Sequence, residues 1–104
     1  MASKQELRSA FDRQGQAMPN CCSGASGPVG DLCLGLSGRR SIIAGRVSDW
    51  NALPQQSPGY DSVIADLDQS SALLQSAGND AQCGAAIEAA HSALDGLEAL
   101  LDGA

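Results

Sequence analysis

Apolar side chains recur with helical spacing along most of the chain, most clearly in its last quarter. In residues 80–102 the apolar positions step by four and three residues, which is the heptad seam of packed helices. The seam consists of Cys83, Ile87, Ala90, Leu94, Leu97 and Leu101. Residues 60–77 carry a second helical series. Gly78 after it suits a helix stop, and Asn79 or Asp80 suits the N-cap of the next helix. The short connection predicts that helices 60–77 and 80–102 form an antiparallel hairpin.

The N-terminal segment 1–18 also predicts a helix. Ser3 followed by Glu6 is a capping-box pattern, so the helix is expected over about residues 3–17, ending before Pro19. Residues 19–30 are rich in Gly, Ser and Pro and are interpreted as a loop.

Residues 31–53 keep one apolar face but contain three glycines, each costing roughly 1 kcal/mol relative to alanine inside a helix. These are Gly35, Gly38 and Gly45. They either break the segment near Gly38 into two short helices or let a neighbouring helix pack closely against a single one. Both alternatives stay open from the sequence.

These elements predict an all-α fold in a single domain over residues 1–104. The expected architecture is a small three- to four-helix bundle with an antiparallel C-terminal helical hairpin. Twenty of the 104 residues are Leu, Ile, Val or Phe, so the core is thin. Because a thin core supplies little net stability, we expect a homo-oligomer, as a dimer through the heptad seam or the Ala-rich last helix.

Charge is divided unevenly between the two halves of the chain. The net charge is −6, yet all six Lys and Arg residues lie at or before Arg46. Residues 53–104 contain eight acidic residues and no Lys or Arg. Since phosphate contacts require basic side chains, this half is not expected to bind nucleic acid directly or to lie on an anionic membrane.

Three acidic residues of the last helix, Glu88, Asp95 and Asp102, repeat every seven positions and form a stripe outside the seam. The plainer interpretation is a solvated face that keeps the protein soluble. Solvated helices usually intersperse both signs of charge, however, so the missing bases also raise a docking face as a functional alternative. We hypothesise a non-enzymatic interaction module, inhibitor or adaptor that presents this acidic helical surface to a protein partner with a basic surface. The candidate partner-binding residues are Asp66, Asp68, Glu88, Asp95, Glu98 and Asp102.

Arg39, Arg40 and Arg46 form the one basic cluster of the sequence. The cluster either binds a phosphate or a partner, or pairs with the acidic half of the same chain or of a second copy. The second, simpler interpretation is preferred.

The cysteines offer an alternative function, as a thiol-dependent metal-binding or redox protein. Cys21, Cys22, Cys33 and Cys83 lack the paired C-x-x-C spacings of zinc sites, but His91 lies two turns beyond Cys83, so together they are a candidate site for zinc or another thiolate-bound metal. The plainer interpretation makes Cys33 and Cys83 small buried residues. A disulfide from the 19–30 loop to either of them is open in an oxidising environment.

The sequence predicts no enzyme and, apart from that alternative, no cofactor. It contains no nucleophile motif, and His91 is interpreted as a surface histidine held by Glu88 or Asp95. With no long apolar run and no visible signal segment, a cytoplasmic protein with reduced cysteines is expected.

Overall fold

The structure is a computed structural model that describes all 104 residues. The chain is mostly helical, as the sequence predicts. Its helices are α1 (Lys4–Ala17), α2 (Pro19–Cys22), α3 (Gly27–Ala44), α4 (Val47–Ala52), α5 (Gly59–Ser76) and α6 (Asp80–Asp102). Two short strands, β1 (Ala2–Ser3) and β2 (Gln56–Ser57), pair antiparallel, with Ala2 opposite Ser57 and Ser3 opposite Gln56.

The segment 19–30 is not the loop that its Gly, Ser and Pro content predicts. It contains α2 and the first turn of α3, since proline is tolerated in the first helical turn, where its missing N–H is not needed. Only the turn between these helices is irregular. Gly24 in this turn and Gly27, the first residue of α3, adopt φ of 70° and 64°, which other residues rarely adopt.

The segment 31–53 contains α4 and most of α3, which starts four residues earlier, and the break between the two helices lies at Gly45 rather than near Gly38. The amide of Gly45 bonds to the carbonyls of Ser41 and Ile43, closing α3. Gly35 and Gly38 lie inside α3, and nothing lies within 4 Å of the Cβ that either would carry. No neighbouring helix of the chain therefore packs closely against these two glycines.

The core is built around the α6 seam. All six seam residues are buried, none of them more than 7% exposed. The seam is therefore covered by its own chain and leaves no apolar surface there for a second copy. The expected homo-oligomer stays a prediction. Trp50 is also core: its ring lies 5.7 Å from that of Phe11, and its Nε1 donates to the carbonyl of Ile43 at 2.9 Å.

A buried glutamine connects four helices across this core. Gln14 of α1 is fully buried; its Nε2 donates to Ser70 Oγ at 2.9 Å and to the carbonyl of Ala90 at 3.4 Å. Its Oε1 accepts a hydrogen bond from Arg40 at 2.7 Å. The Arg40 guanidinium also lies 3.9 Å from the Phe11 ring centre, and burial lowers the pKa of this arginine. Every polar atom of Gln14 is thus used in holding α1, α3, α5 and α6 together.

Two disulfides begin at the adjacent cysteines of α2. Cys21 is bonded to Cys83 of α6, and Cys22 to Cys33 of α3, so no cysteine is free. The prediction of reduced cysteines is wrong, because the end of α2 lies against both of those helices. The side chain of Asn20 adds a polar anchor, donating to the carbonyls of Leu74 and Ala77 at the end of α5.

Removing the long-range disulfide is expected to destabilise the fold strongly. Cys21 and Cys83 are separated by 62 residues, and chain-entropy reasoning assigns such a loop about 4 kcal/mol. The 11-residue separation of Cys22 and Cys33 gives slightly under about 3 kcal/mol. Urea unfolding should show a larger loss of unfolding free energy for Cys21→Ala/Cys83→Ala than for Cys22→Ala/Cys33→Ala. Free thiols in the unreduced, denatured wild-type chain would contradict the pairing.

Alkaline pH is expected to weaken the fold through Tyr60. Burial raises the pKa of this tyrosine, whose hydroxyl donates to the carbonyl of Pro54 at 2.6 Å. Because the folded pKa exceeds the unfolded value of about 10, its stabilising contribution is present below that pH and is lost as pH rises through the folded pKa. Tyr60 is the only tyrosine, so ultraviolet titration reports it directly. A Tyr60→Phe chain should lose less stability above pH ~10; equal loss in both chains would contradict this assignment.

Candidate interaction surface

The acidic surface predicted on the last two helices is largely neutralised by arginines of the same chain. Arg39 reaches from α3 to α6, where its Nε donates to Glu98 at 2.7 Å and another of its nitrogens pairs with Asp95. Burial opposes the charge of Arg39, but the hydrogen bonds to these two carboxylates raise its pKa. Asp95 and Glu98 are therefore not the free carboxylates that the sequence hypothesis requires.

The same arginine also contacts the ring and the backbone of His91. Arg39 donates to the His91 carbonyl at 3.0 Å and lies 3.0 Å from its Nδ1. Arginine has no acceptor, so Nδ1 must accept this bond, and the proton of the neutral ring is on Nε2. The expected pairing of His91 with Glu88 or Asp95 is replaced by this contact.

Two further arginines pair with acidic residues far away in the sequence. Arg46, which follows α3, pairs with the distant Asp102 at 2.7 Å and also with the neighbouring Asp49 at 2.8 Å. Arg13 of α1 binds both carboxylate oxygens of Asp68, at 2.9 and 3.1 Å. Together with Arg39, these arginines engage four of the six predicted partner-binding carboxylates. Arg40 of the predicted basic cluster has no ion pair and instead contacts Gln14 and Phe11, so the preferred interpretation of that cluster applies to Arg39 and Arg46 only.

Two of the predicted carboxylates, Asp66 and Glu88, have no ion pair. Asp66 borders a groove of about 280 Å³ between α5 and α6, which is otherwise lined by Gln69, Ser70, Ala89, Ser92 and Ala93. The predicted acidic surface is thus reduced to the surroundings of Asp66 on α5 and Glu88 on α6.

The predicted metal site is not assembled. Cys21, Cys22, Cys33 and Cys83 are all in disulfides and offer no thiolate, because a sulfur in a disulfide has no ionisable proton. His91 is occupied by Arg39. No group of three or more His, Cys, Asp or Glu side chains is arranged to hold a metal ion.

The most prominent uncovered surface lies on α3. Leu34 and Ile42 are 74% and 71% exposed, the highest values among the large apolar side chains after Met1. We call the surface that they share the outer face of α3. Its residues, all exposed, are Asp31, Leu34, Gly35, Gly38, Ser41 and Ile42. It carries a single charge, because both arginines of α3 turn toward the rest of the chain.

The opposite, inner face of α3 is buried, and it too is apolar. Val29, Cys33, Leu36 and Ile43 are all less than 9% exposed. Large apolar side chains thus lie on two opposite faces of α3, and only the inner face is covered by the chain itself. The sequence contains apolar residues for both faces, since Leu34 and Ile42 lie close to Leu36 and Ile43. A single apolar stripe along the helix includes only one of these two sets.

A groove of about 400 Å³ adjoins the outer face at the start of α3. Leu34 stands at its edge, and both cysteines of the Cys22–Cys33 disulfide line it with Met18 and Gly30. The groove is half apolar, so it extends the uncovered apolar surface from Leu34 toward α2.

Loss of the Arg39 contacts is expected to cost more than loss of an exposed pair. Arg39→Gln removes hydrogen bonds to two carboxylates and a carbonyl from a side chain only 24% exposed, so we expect about 1–2 kcal/mol of destabilisation. Arg13→Gln, whose pair with Asp68 is half exposed, is the matched control and should cost less than ~1 kcal/mol. Urea unfolding at low salt measures both. Equal costs would show that the Arg39 cluster is not a structural clamp.

No helix of the structure combines the length and the apolar character needed to cross a bilayer. The chain matches no protein-family model, no curated protein and no solved structure. What it does therefore has to follow from the surfaces and contacts of its own residues.

Proposed function

We propose that this protein is a non-enzymatic interaction module that binds another protein through the outer face of α3. The exposure of Leu34 and Ile42 carries the proposal, since two large apolar side chains on one helix face are unfavourable in water unless a partner covers them. The partner surface that fits is a helix with apolar side chains, because the outer face of α3 offers one carboxylate and no base for ionic recognition. The interaction class predicted from the sequence is kept, and its contact surface moves from the acidic stripe to α3.

In this proposal, α5 and α6 form an antiparallel hairpin in a small bundle that supports the inner face of α3. Contacts between opposite ends of the two helices support this arrangement. The Cβ that Gly96 would carry lies 3.3 Å from Val63, and the one that Gly59 would carry lies 3.6 Å from Leu100. A rigid support favours α3 as a docking helix, because little conformational entropy is then lost when a partner binds.

The two disulfides favour an oxidising compartment as the place of work. Disulfides persist in secreted and other oxidising environments and are rare in the reducing cytosol. We therefore propose such a compartment in place of the cytoplasm that the sequence predicted.

Asp66 and Glu88 support a second candidate function, the docking of a basic protein segment on the α5–α6 surface. Asp66 has no ion pair, and the groove that it borders contains no basic residue to neutralise it. Attraction of this kind would weaken with salt, whereas docking on the outer face of α3 would not.

Site-specific photo-crosslinking distinguishes the two surfaces. A photoreactive amino acid replaces Leu34 in one variant and Glu88 in another. Both variants are irradiated in the protein's native setting under oxidising conditions. We expect a crosslinked polypeptide from position 34, because the outer face of α3 is then covered, and none from position 88.

Retained disulfides and unchanged helical circular dichroism serve as the control that both chains fold. Crosslinks from position 88 alone would move the function to the acidic surface. Folded chains that crosslink from neither position would contradict the interaction hypothesis itself.

A further inference from the structure

We infer that the partner of the outer face of α3 is a second copy of the same helix, packed antiparallel across Gly38 in a twofold dimer. This inference rests on the proposed function, since it names the occupant of the surface proposed there. It requires that the outer face be complementary to itself, because a twofold interface places the same patch on both copies.

The spacing of the outer face meets that requirement. Leu34, Gly38 and Ile42 lie four residues apart, so they form one ridge along α3 with a notch at its centre. When two such ridges cross antiparallel at Gly38, each Leu34 lies opposite the partner's Ile42. The pairing occurs twice, and all four exposed apolar side chains are covered at once.

The glycines of this face have no other role visible in the structure. Nothing lies within 4 Å of the Cβ positions of Gly35 and Gly38, and neither has a positive φ, so the single chain would accept alanine at both. Gly30, which precedes Leu34 by four residues in the same series, differs: its Cβ would lie 3.0 Å from the carbonyl oxygen of Ala25. Missing side chains at 35 and 38 let another helix backbone approach closely, which is what a crossing at Gly38 requires.

Charge favours a second copy over a charged partner at this surface. The chain has a net charge of −6, and eight of its twelve acidic residues lie in residues 53–104. Four of these eight are paired with arginines, but Asp66 and Glu88 are not. Two copies that met through α5 or α6 would bring these free charges together, whereas the outer face of α3 carries only Asp31. In the proposed packing, 14 residues of helix separate the two Asp31 positions along the axis, about 21 Å, so their repulsion is small.

The contact area sets the expected strength. An 18-residue helix is about 27 Å long, and one face of it contributes less than the roughly 800 Å² per partner of a standard interface. The dimer is therefore a weak one, and monomer and dimer exchange with protein concentration.

Sedimentation velocity of the oxidised chain over about 1 μM to 1 mM tests the inference. We expect the mean mass to rise toward that of two chains for the wild type. Leu34→Lys and Ile42→Glu should each lower the association constant at least about tenfold, since each buries an unpaired charge against an apolar residue. Leu73→Glu is the matched control: Leu73 is 41% exposed on α5, outside the outer face of α3, and its replacement should leave association unchanged.

The double variant Leu34→Lys/Ile42→Glu tests the antiparallel register. Across the proposed axis each lysine meets the partner's glutamate, so association should recover relative to either single variant, and the recovery should weaken with salt. Within one chain these positions are eight residues apart and do not contact each other, so the recovery has to come from a second copy.

A wild-type chain that stays monomeric over the whole concentration range would overturn the inference. So would a double variant that keeps its circular dichroism yet associates no better than the single variants. If position 34 then still crosslinks to a different polypeptide, the proposed function stands and only the second copy is wrong. A folded chain that neither associates nor crosslinks from position 34 would overturn both.

Discussion

The two disulfides that leave adjacent residues of α2 are the constraint on which the rest of the structure depends. Cys21 ties this short helix to α6 and Cys22 ties it to α3, so helices far apart in sequence meet at one covalent junction. With only twenty Leu, Ile, Val and Phe residues in 104, the apolar core alone has little stability to spare. The disulfides compensate by restricting the unfolded chain, and they fix where α3 begins relative to α2 and α6.

Away from this junction, charge holds the two halves of the chain together. Residues 1–52 carry a net charge of +2 and residues 53–104 a net charge of −8. Arg13, Arg39 and Arg46, all from the first half, each reach an acidic residue of α5 or α6. The uneven charge of the two halves suggested an external basic partner. In large part, the two halves instead pair with each other within the chain. The Arg13 and Arg46 pairs include half-exposed or exposed carboxylates, so apart from the Arg39 contacts these pairs contribute more to setting which helices face each other than to stability.

The sequence predicts what depends on local spacing and misses what depends on distant contacts. The regular seam of α6 and the caps at Ser3 and Asn79 are readable because their partners lie within one or two turns. Cysteine pairing is not readable, since four cysteines allow three connectivities and only the fold brings Cys21 to Cys83. The sequence favours pairing of the basic cluster with the acidic half of this chain or of a second copy. It does not show that Arg39 reaches Asp95, because 56 residues separate them. The outer face of α3 was not predicted for another reason. An interpretation based on one apolar stripe leaves out a second stripe on the same helix.

That second stripe raises the question of why α3 does not simply turn to bury it. Rotation about the helix axis would move Leu34 and Ile42 toward the core at the cost of exposing Leu36 and Ile43, so apolar burial alone hardly distinguishes the two orientations. The anchors do distinguish them. Rotation would break the Cys22–Cys33 bond at the start of α3, the Arg39 contacts with α6, and the bond from Arg40 to buried Gln14. One covalent and two polar contacts thus hold an apolar face outward, where only another molecule can cover it.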